Sequence, residues 1–129
     1  MKYKERLMLL LNNSYSPYSK FKVAAIVIMK DEVEFNGVNV ENASYGASIC
    51  AERNAIFSAI AAGYKKGDFK EIYLMCSKGS SLPCGICRQV MSEFFDDDTV
   101  IHVISITGEY TKYNFSDIYP YPFDAEDLK

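Results

Sequence analysis

Two hydrophobic periods alternate along this chain. Tyr3, Leu7, Leu10 and Leu11 recur at the spacing of one helix face, and the polar stretch from Asn12 to Ser19, with Pro17 inside it, ends that helix. Val23 to Met29 is apolar throughout and rich in β-branched residues. Lys30, Asp31 and Glu32 then make a charged turn and Val33 to Val38 returns, which predicts a hairpin whose first strand is buried on both faces. Asn39 to Ile49 shows no period and reads as a long loop, and loops of that length inside compact domains usually carry function. Ser48 is expected to cap a helix from about Cys50 to Ala62, with Ile56, Phe57, Ile60 and several alanines on its packing side and Gly63 as its stop.

The second half repeats the alternation. Ile72 to Cys76 reads as a short strand and Ser77 to Leu82 as a Gly- and Ser-containing loop. Pro83 sits where a first helical turn tolerates it. The helix that follows runs to about Phe94, with Val90, Met91, Phe94 and Phe95 as its apolar side and Asp96, Asp97 and Asp98 as a solvated exit. Val100 to Ile106 is a further buried strand, Thr107 and Gly108 make a turn, and Glu109 to Tyr113 returns as an edge strand. The sum is one domain over residues 1–129, a three-layer α/β/α sandwich around one mixed five-stranded sheet.

Composition narrows the partners. With 129 residues and 49 % hydrophobic content the chain holds one core, and 14 Lys and Arg against 17 Asp and Glu leave a net charge of −3. That balance argues against a nucleic-acid backbone as ligand and favours small molecules. Lys2, Lys4 and Arg6 before Leu7 to Leu11 imitate a signal peptide, but the apolar run is too short and no small-residue cleavage pattern follows. No run reaches the length of a membrane span, so a soluble, cytoplasmic protein is expected. Four cysteines at uneven spacing, with Cys84 and Cys87 three positions apart, favour a metal or redox chemistry over a disulfide scaffold.

The candidate chemistry gathers at two expected helix starts, Cys50, Ala51, Glu52, Arg53 and Pro83, Cys84, Gly85, Ile86, Cys87. Crossover connections between parallel strands place successive helix starts on the same sheet edge, so the three thiols can converge. Zinc takes such thiolates in a tetrahedron, and three protein ligands with an open fourth position is the catalytic pattern. Arg53 and the two helix dipoles offset the negative charge of three sulfurs, while Glu52 can face the cavity as a proton carrier. Two other readings fit parts of this pattern: a thiol-disulfide protein built on Cys84 and Cys87, and a structural zinc module in which Cys76 closes a four-thiolate site. Cys76 and the lone His102 are otherwise expected as strand residues of the core.

The runs Cys50-Ala51-Glu52-Arg53 and Pro83-Cys84-Gly85-Ile86-Cys87-Arg88-Gln89 closely resemble the zinc-dependent cytidine deaminases of the short homotetrameric kind. Phe21 to Ala24 is similar to that family's first-strand motif, Asn39 to Gly46 to its nucleoside-binding loop, and Pro122, Phe123 and the acidic ending to its tail. The resemblance implies one zinc per chain on Cys50, Cys84 and Cys87, with Glu52 moving protons as cytosine loses its amino group. It further implies that Phe21 packs on the base, that Asn39 and Glu41 bind the ribose, that Ala51 lies at the substrate, and that Arg53 and Gln89 support the ligands. Tyr45 and Phe123 are expected to reach a site in an adjoining subunit. The implied substrates are cytidine and deoxycytidine, and the implied assembly is a homotetramer. The chain departs from the family pattern at Ala24, where Gly is common, and at Leu82, where Ser is common.

Overall fold

The computed structural model describes residues 2–129. Helix α1 spans Lys2–Leu11 and is followed by strands β1 (Val23–Met29) and β2 (Glu34–Val38), a single 3-10 turn at Tyr45–Ala47, and helix α2 (Ala51–Ala61). Strand β3 (Phe69–Cys76), helix α3 (Gly85–Phe94), strands β4 (Val100–Ile104) and β5 (Tyr110–Asn114), and a short helix α4 (Phe115–Ile118) complete the order, with a last 3-10 turn at Ala125–Leu128. The five strands form one sheet in the order β2-β1-β3-β4-β5. Only β3 and β4 pair in parallel; the other neighbours are antiparallel. The expected mixed five-stranded sheet between helical layers is therefore the observed one. No helix among the described residues is long and apolar enough to cross a membrane.

Strand β1 lies in the interior of the sheet and shows why its sequence is apolar at every position. Ala25, Val27 and Met29 face the core shared with α2 and α3, while Ala24, Ile26 and Ile28 face the core under α1. Side chains alternate across a strand, so covering both sheet faces demands an unbroken apolar run. On the α1 side Leu7 and Leu11 are buried with Met75 and Ile104. On the other side Ala51, Ala55, Ile56 and Ala59 of α2 press against the sheet. Small residues there let the helix approach closely, and Gly37 of β2 leaves room for its backbone. A β-carbon at that position would lie 2.3 Å from the Ala51 carbonyl oxygen and 2.5 Å from the Ala55 nitrogen.

Several boundaries and faces differ from the expectation. Ser48 does not cap α2; its hydroxyl accepts from the Asn42 amide instead, and Cys50 occupies the N-cap position without a side-chain cap hydrogen bond. Phe57 is not on the packing side of α2 but is 42 % exposed, because Ala55, Ile56 and Ala59 already complete the buried stripe. Strand β3 begins at Phe69, three residues early, since Phe69 pairs with Met29 beyond a register shift. Pro83 lies outside α3, which starts after Cys84. Strand β4 ends at Ile104, where Ser105 and Gly108 close the turn. Helix α4, unmarked by any sequence period, is closed by a capping box between Asn114 and Asp117.

Candidate active site

Strands β2 and β3 both run antiparallel to β1, so they run parallel to each other, and α2 and α3 follow them. The N-termini of both helices therefore open on one sheet edge, as the crossover rule requires. Cys50 and Cys84 occupy the N-cap positions of α2 and α3, and Cys87 lies one turn into α3. Their three Sγ atoms fall within 4.8 Å of one another, and those of Cys50 and Cys84 are 3.7 Å apart. Four ligands at the zinc–sulfur distance of about 2.3 Å in a tetrahedron sit about 3.8 Å from each other, so the donor set fits zinc. None of the four cysteines is in a disulfide. Cys76 stays outside the cluster, its Sγ donating to the Lys78 and Gly79 carbonyls, which leaves a three-thiol site rather than a four-thiol one.

The electrostatics match a site for a cation. The Cys50 thiol is pulled down to about 5, first by its hydrogen bond with Cys87 and then by the Arg53 guanidinium, which together outweigh burial. Cys87 is pushed in the opposite direction by the same hydrogen bond and by burial. The Arg53 Nη2 donates to the Cys50 Sγ at 3.6 Å, while its buried Nε finds no partner among the described residues. Glu52 follows the first ligand and is 6 % exposed. Burial, with a smaller contribution from the Cys50 charge, pushes its carboxyl up to about 7.

A cavity of about 440 Å³ opens above these groups. Its floor holds Cys50, Glu52, Arg53 and Cys84; its walls include Phe21, Asn39, Glu41 and Tyr45, together with Leu74, Met75 and Leu82. A pocket of this size with a few convergent polar groups in an apolar lining is the usual form of a small-molecule site. Asn39 is fixed from three sides: Oδ1 accepts from the Val23 amide at 2.9 Å and from the Ser14 hydroxyl at 2.5 Å, and Nδ2 donates to the Phe21 carbonyl at 2.8 Å. Glu41 Oε1 accepts from the amides of Tyr18 and Ser19, and Oε2 accepts from the Ser19 hydroxyl.

The remaining expected residues do not line the cavity. Cys87 and Ala51 are fully buried behind the floor. Gln89 does not reach the thiols; its side chain is spent on the tail, donating to the Phe123 carbonyl at 2.7 Å and accepting from the Tyr119 hydroxyl at 2.6 Å. Phe123 is 56 % exposed and does not line the cavity of its own chain. His102 is a core residue, its Nε2 2.6 Å from Glu71 and its Nδ1 2.6 Å from the Tyr110 hydroxyl. Ser14, Ser19 and Gly37 were not singled out from the sequence. A serine in a polar loop gives no signal without its partner, and Gly37 reads as an ordinary strand residue until α2 is placed against it.

Three thiols gathered for one metal, with a buried carboxyl beside them at the base of an open-mouthed pocket, are the equipment of a zinc hydrolase acting on a small molecule. Comparison with known proteins specifies it further. Residues 1–103 match the family described as the cytidine and deoxycytidylate deaminase zinc-binding region. The cytidine deaminase of Halalkalibacterium halodurans is 40 % identical over 116 residues, 89 % of this chain and 86 % of that protein. The cytidine deaminase of Mycoplasma genitalium is 34 % identical over 88 % of this chain and 87 % of its own length. The crystal structure of cytidine deaminase from Burkholderia pseudomallei superposes with a TM-score of 0.87 at 41 % identity, covering 92 % of this chain and 94 % of that one. The chain belongs to the zinc-dependent cytidine deaminases.

Proposed function

We propose that this protein hydrolyses cytidine and deoxycytidine to uridine and deoxyuridine, releasing ammonia, with one zinc ion per chain. The reading is carried by one juxtaposition: Glu52, buried, follows the first thiol of a three-thiol cluster at the floor of a cavity sized for a nucleoside. Zinc on Cys50, Cys84 and Cys87 would supply the Lewis acidity that makes water a nucleophile near neutral pH. Glu52 does the proton work. Its carboxylate takes a proton from the attacking water and gives it to N3 of the ring, then carries the proton of the new C4 hydroxyl to the amino group as the C4–N bond breaks and the C4 carbonyl forms. A carboxyl held near neutrality by burial suits both directions of transfer. Arg53 holds the Cys50 sulfur and offsets the charge of the cluster.

Substrate contacts follow from what the wall residues still have to offer. Phe21 supplies an aromatic face for the base. After their contacts with the chain, Asn39 keeps one amide hydrogen and the Glu41 Oε2 keeps an acceptor site. Together they suit a single hydroxyl, which accepts from Asn39 and donates to Glu41. A site needing one sugar hydroxyl takes ribose and deoxyribose alike but rejects the free base, which leaves both groups unpaired. Tyr45 at 82 %, Tyr121 at 93 % and Phe123 at 56 % exposure supply apolar surface for neighbouring subunits, in keeping with a homotetramer whose sites are shared. The free thiols suit a reducing compartment, the cytoplasm.

The test is an ultraviolet assay of cytidine conversion by the zinc-loaded protein, with Glu52→Gln as the matched control. Turnover should fall by roughly 10³ or more in the variant while zinc is retained. Absence of turnover on either nucleoside by the folded, zinc-loaded parent protein would overturn the reading.

A further inference from the structure

The segment from Ser14 to Ser19 runs along the cavity wall and is bound to it by its backbone. The Tyr15 amide donates to the Asn39 carbonyl at 3.1 Å, and the Glu41 amide donates to the Tyr15 carbonyl at 2.8 Å. At the end of this segment the Ser19 side chain lines the cavity. Its hydroxyl donates to Glu41 Oε2, and the same oxygen accepts from the Phe21 amide at 3.0 Å. Between Ser19 and Phe21 stands Lys20, whose φ of 62° lies in the left-handed region that residues with a β-carbon rarely adopt. The chain thus turns sharply at Lys20, and the Ser19 hydroxyl is the side-chain group that spans the turn.

Glu41 needs such an anchor. Its carboxylate is only half-buried at the cavity wall, and no salt bridge reaches it among the described residues. Three hydrogen bonds hold it, and all three come from Tyr18 and Ser19. The Ser19 hydroxyl is the foremost influence holding this carboxyl below its ordinary range. Without the hydroxyl, Oε2 loses the partner that sets its orientation and the Phe21 amide loses its acceptor.

We propose that Ser19 is a positioning residue for sugar recognition, its single hydroxyl setting the carboxylate of Glu41 to meet the sugar of the bound nucleoside. The inference rests on the reading that Glu41 contacts the sugar. Ser19 itself makes no contact with the reacting atoms. Its loss therefore weakens binding of a substrate that carries the sugar hydroxyl and leaves the proton transfers at Glu52 intact.

Steady-state kinetics on the zinc-loaded enzyme with cytidine and with 2′,3′-dideoxycytidine test this. Ser19→Ala should raise KM for cytidine about tenfold, the usual scale for losing a hydrogen bond to a charged group, with kcat held within about twofold. KM for the dideoxynucleoside should stay within about twofold of the parent value. Ser19→Thr and Ser19→Val, alike in shape and differing in the hydroxyl, read the same quantity if the alanine variant folds poorly; Thr should recover the cytidine KM and Val should not. Glu41→Gln is the reference and should lose the preference for cytidine over the dideoxynucleoside. If Glu41→Gln loses that preference while the Ser19 variants raise KM equally for both nucleosides, Ser19 only stiffens the loop and the proposal falls. A Glu41→Gln enzyme that keeps its full preference overturns the assignment of Glu41 to the sugar, and the role of Ser19 with it.

Discussion

The side-chain amide of Gln89 donates to the main-chain carbonyl of Phe123, 34 positions along the chain, at 2.7 Å. Helix α3, which carries Cys87, thereby holds the C-terminal tail, and a second hydrogen bond from the Tyr119 hydroxyl to the same side chain closes the clasp. Arg88, the neighbouring residue, reinforces it by donating to the Pro83 and Ile118 carbonyls, both at 2.7 Å.

Gln89→Ala should release the tail without touching the metal. Losing two hydrogen bonds costs about 1–3 kcal/mol of stability. If Phe123 serves a neighbouring subunit, kcat/KM should fall and become dependent on protein concentration, at unchanged zinc content. Thermal melts and kinetics across a dilution series check this; a variant with parental kinetics at every concentration would leave the tail without a catalytic role.

Metal stoichiometry separates a three-thiol site from a four-thiol one. Cys76 lies outside the cluster, so Cys76→Ser should bind one zinc per chain and stay active, whereas Cys87→Ser should lose both metal and turnover. Cobalt substitution supplies the spectroscopic check, since the charge-transfer intensity of Cys76→Ser should equal that of the parent. Chelation should abolish turnover and lower the melting temperature together.

Stability near neutrality should carry the signature of His102. The Glu71 carboxylate only accepts, so Nε2 carries the hydrogen and Nδ1 of the neutral ring accepts from the Tyr110 hydroxyl. Burial is the leading influence, and it pulls the folded His102 below its ordinary value of 6.5. The unfolded chain therefore binds the proton more readily, and stability is lost as pH falls through 6.5 toward the folded value. Between about pH 7.5 and about pH 5.5 the parent should lose more melting temperature than His102→Gln. Equal losses would show that the imidazole does not titrate against folding.

Gly37→Ala probes how α2 is seated. Its methyl group would meet the Ala51 carbonyl oxygen at 2.3 Å, and backbone cannot rotate aside as a side chain does. Pushing α2 off β2 should cost roughly 3 kcal/mol and displace Cys50 and Glu52 from the cluster. Zinc affinity and kcat should fall together, as measured by metal titration and turnover. A variant that melts early yet keeps parental zinc affinity would place the strain elsewhere.

Much of this arrangement was legible in the residues. The unbroken apolar run of β1 announced a strand covered on both faces, and the paired runs around Cys50 and Cys84 announced a metal site, because ligand chemistry restricts residue type and crossover topology restricts place. What escaped depends on contacts between segments far apart. Ser19 and Ser14 acquire meaning only beside Glu41 and Asn39. The clasp of Gln89 on Phe123 has no local pattern, and the motif around it drew Gln89 toward the metal instead. Ser48 failed as a cap because the 3-10 turn at Tyr45–Ala47 intervenes and ends on it.

Helices α2 and α3 both start on a cysteine that makes no capping hydrogen bond. An ordinary cap residue there would contribute about 1 kcal/mol to each helix. The chain forgoes that local fastening at the two places where its sulfurs must point at an ion. Holding the ion thus also secures both first turns, so a chain starved of zinc should fray from the helix ends inward, and hydrogen exchange at those amides would register metal supply before any substrate is added.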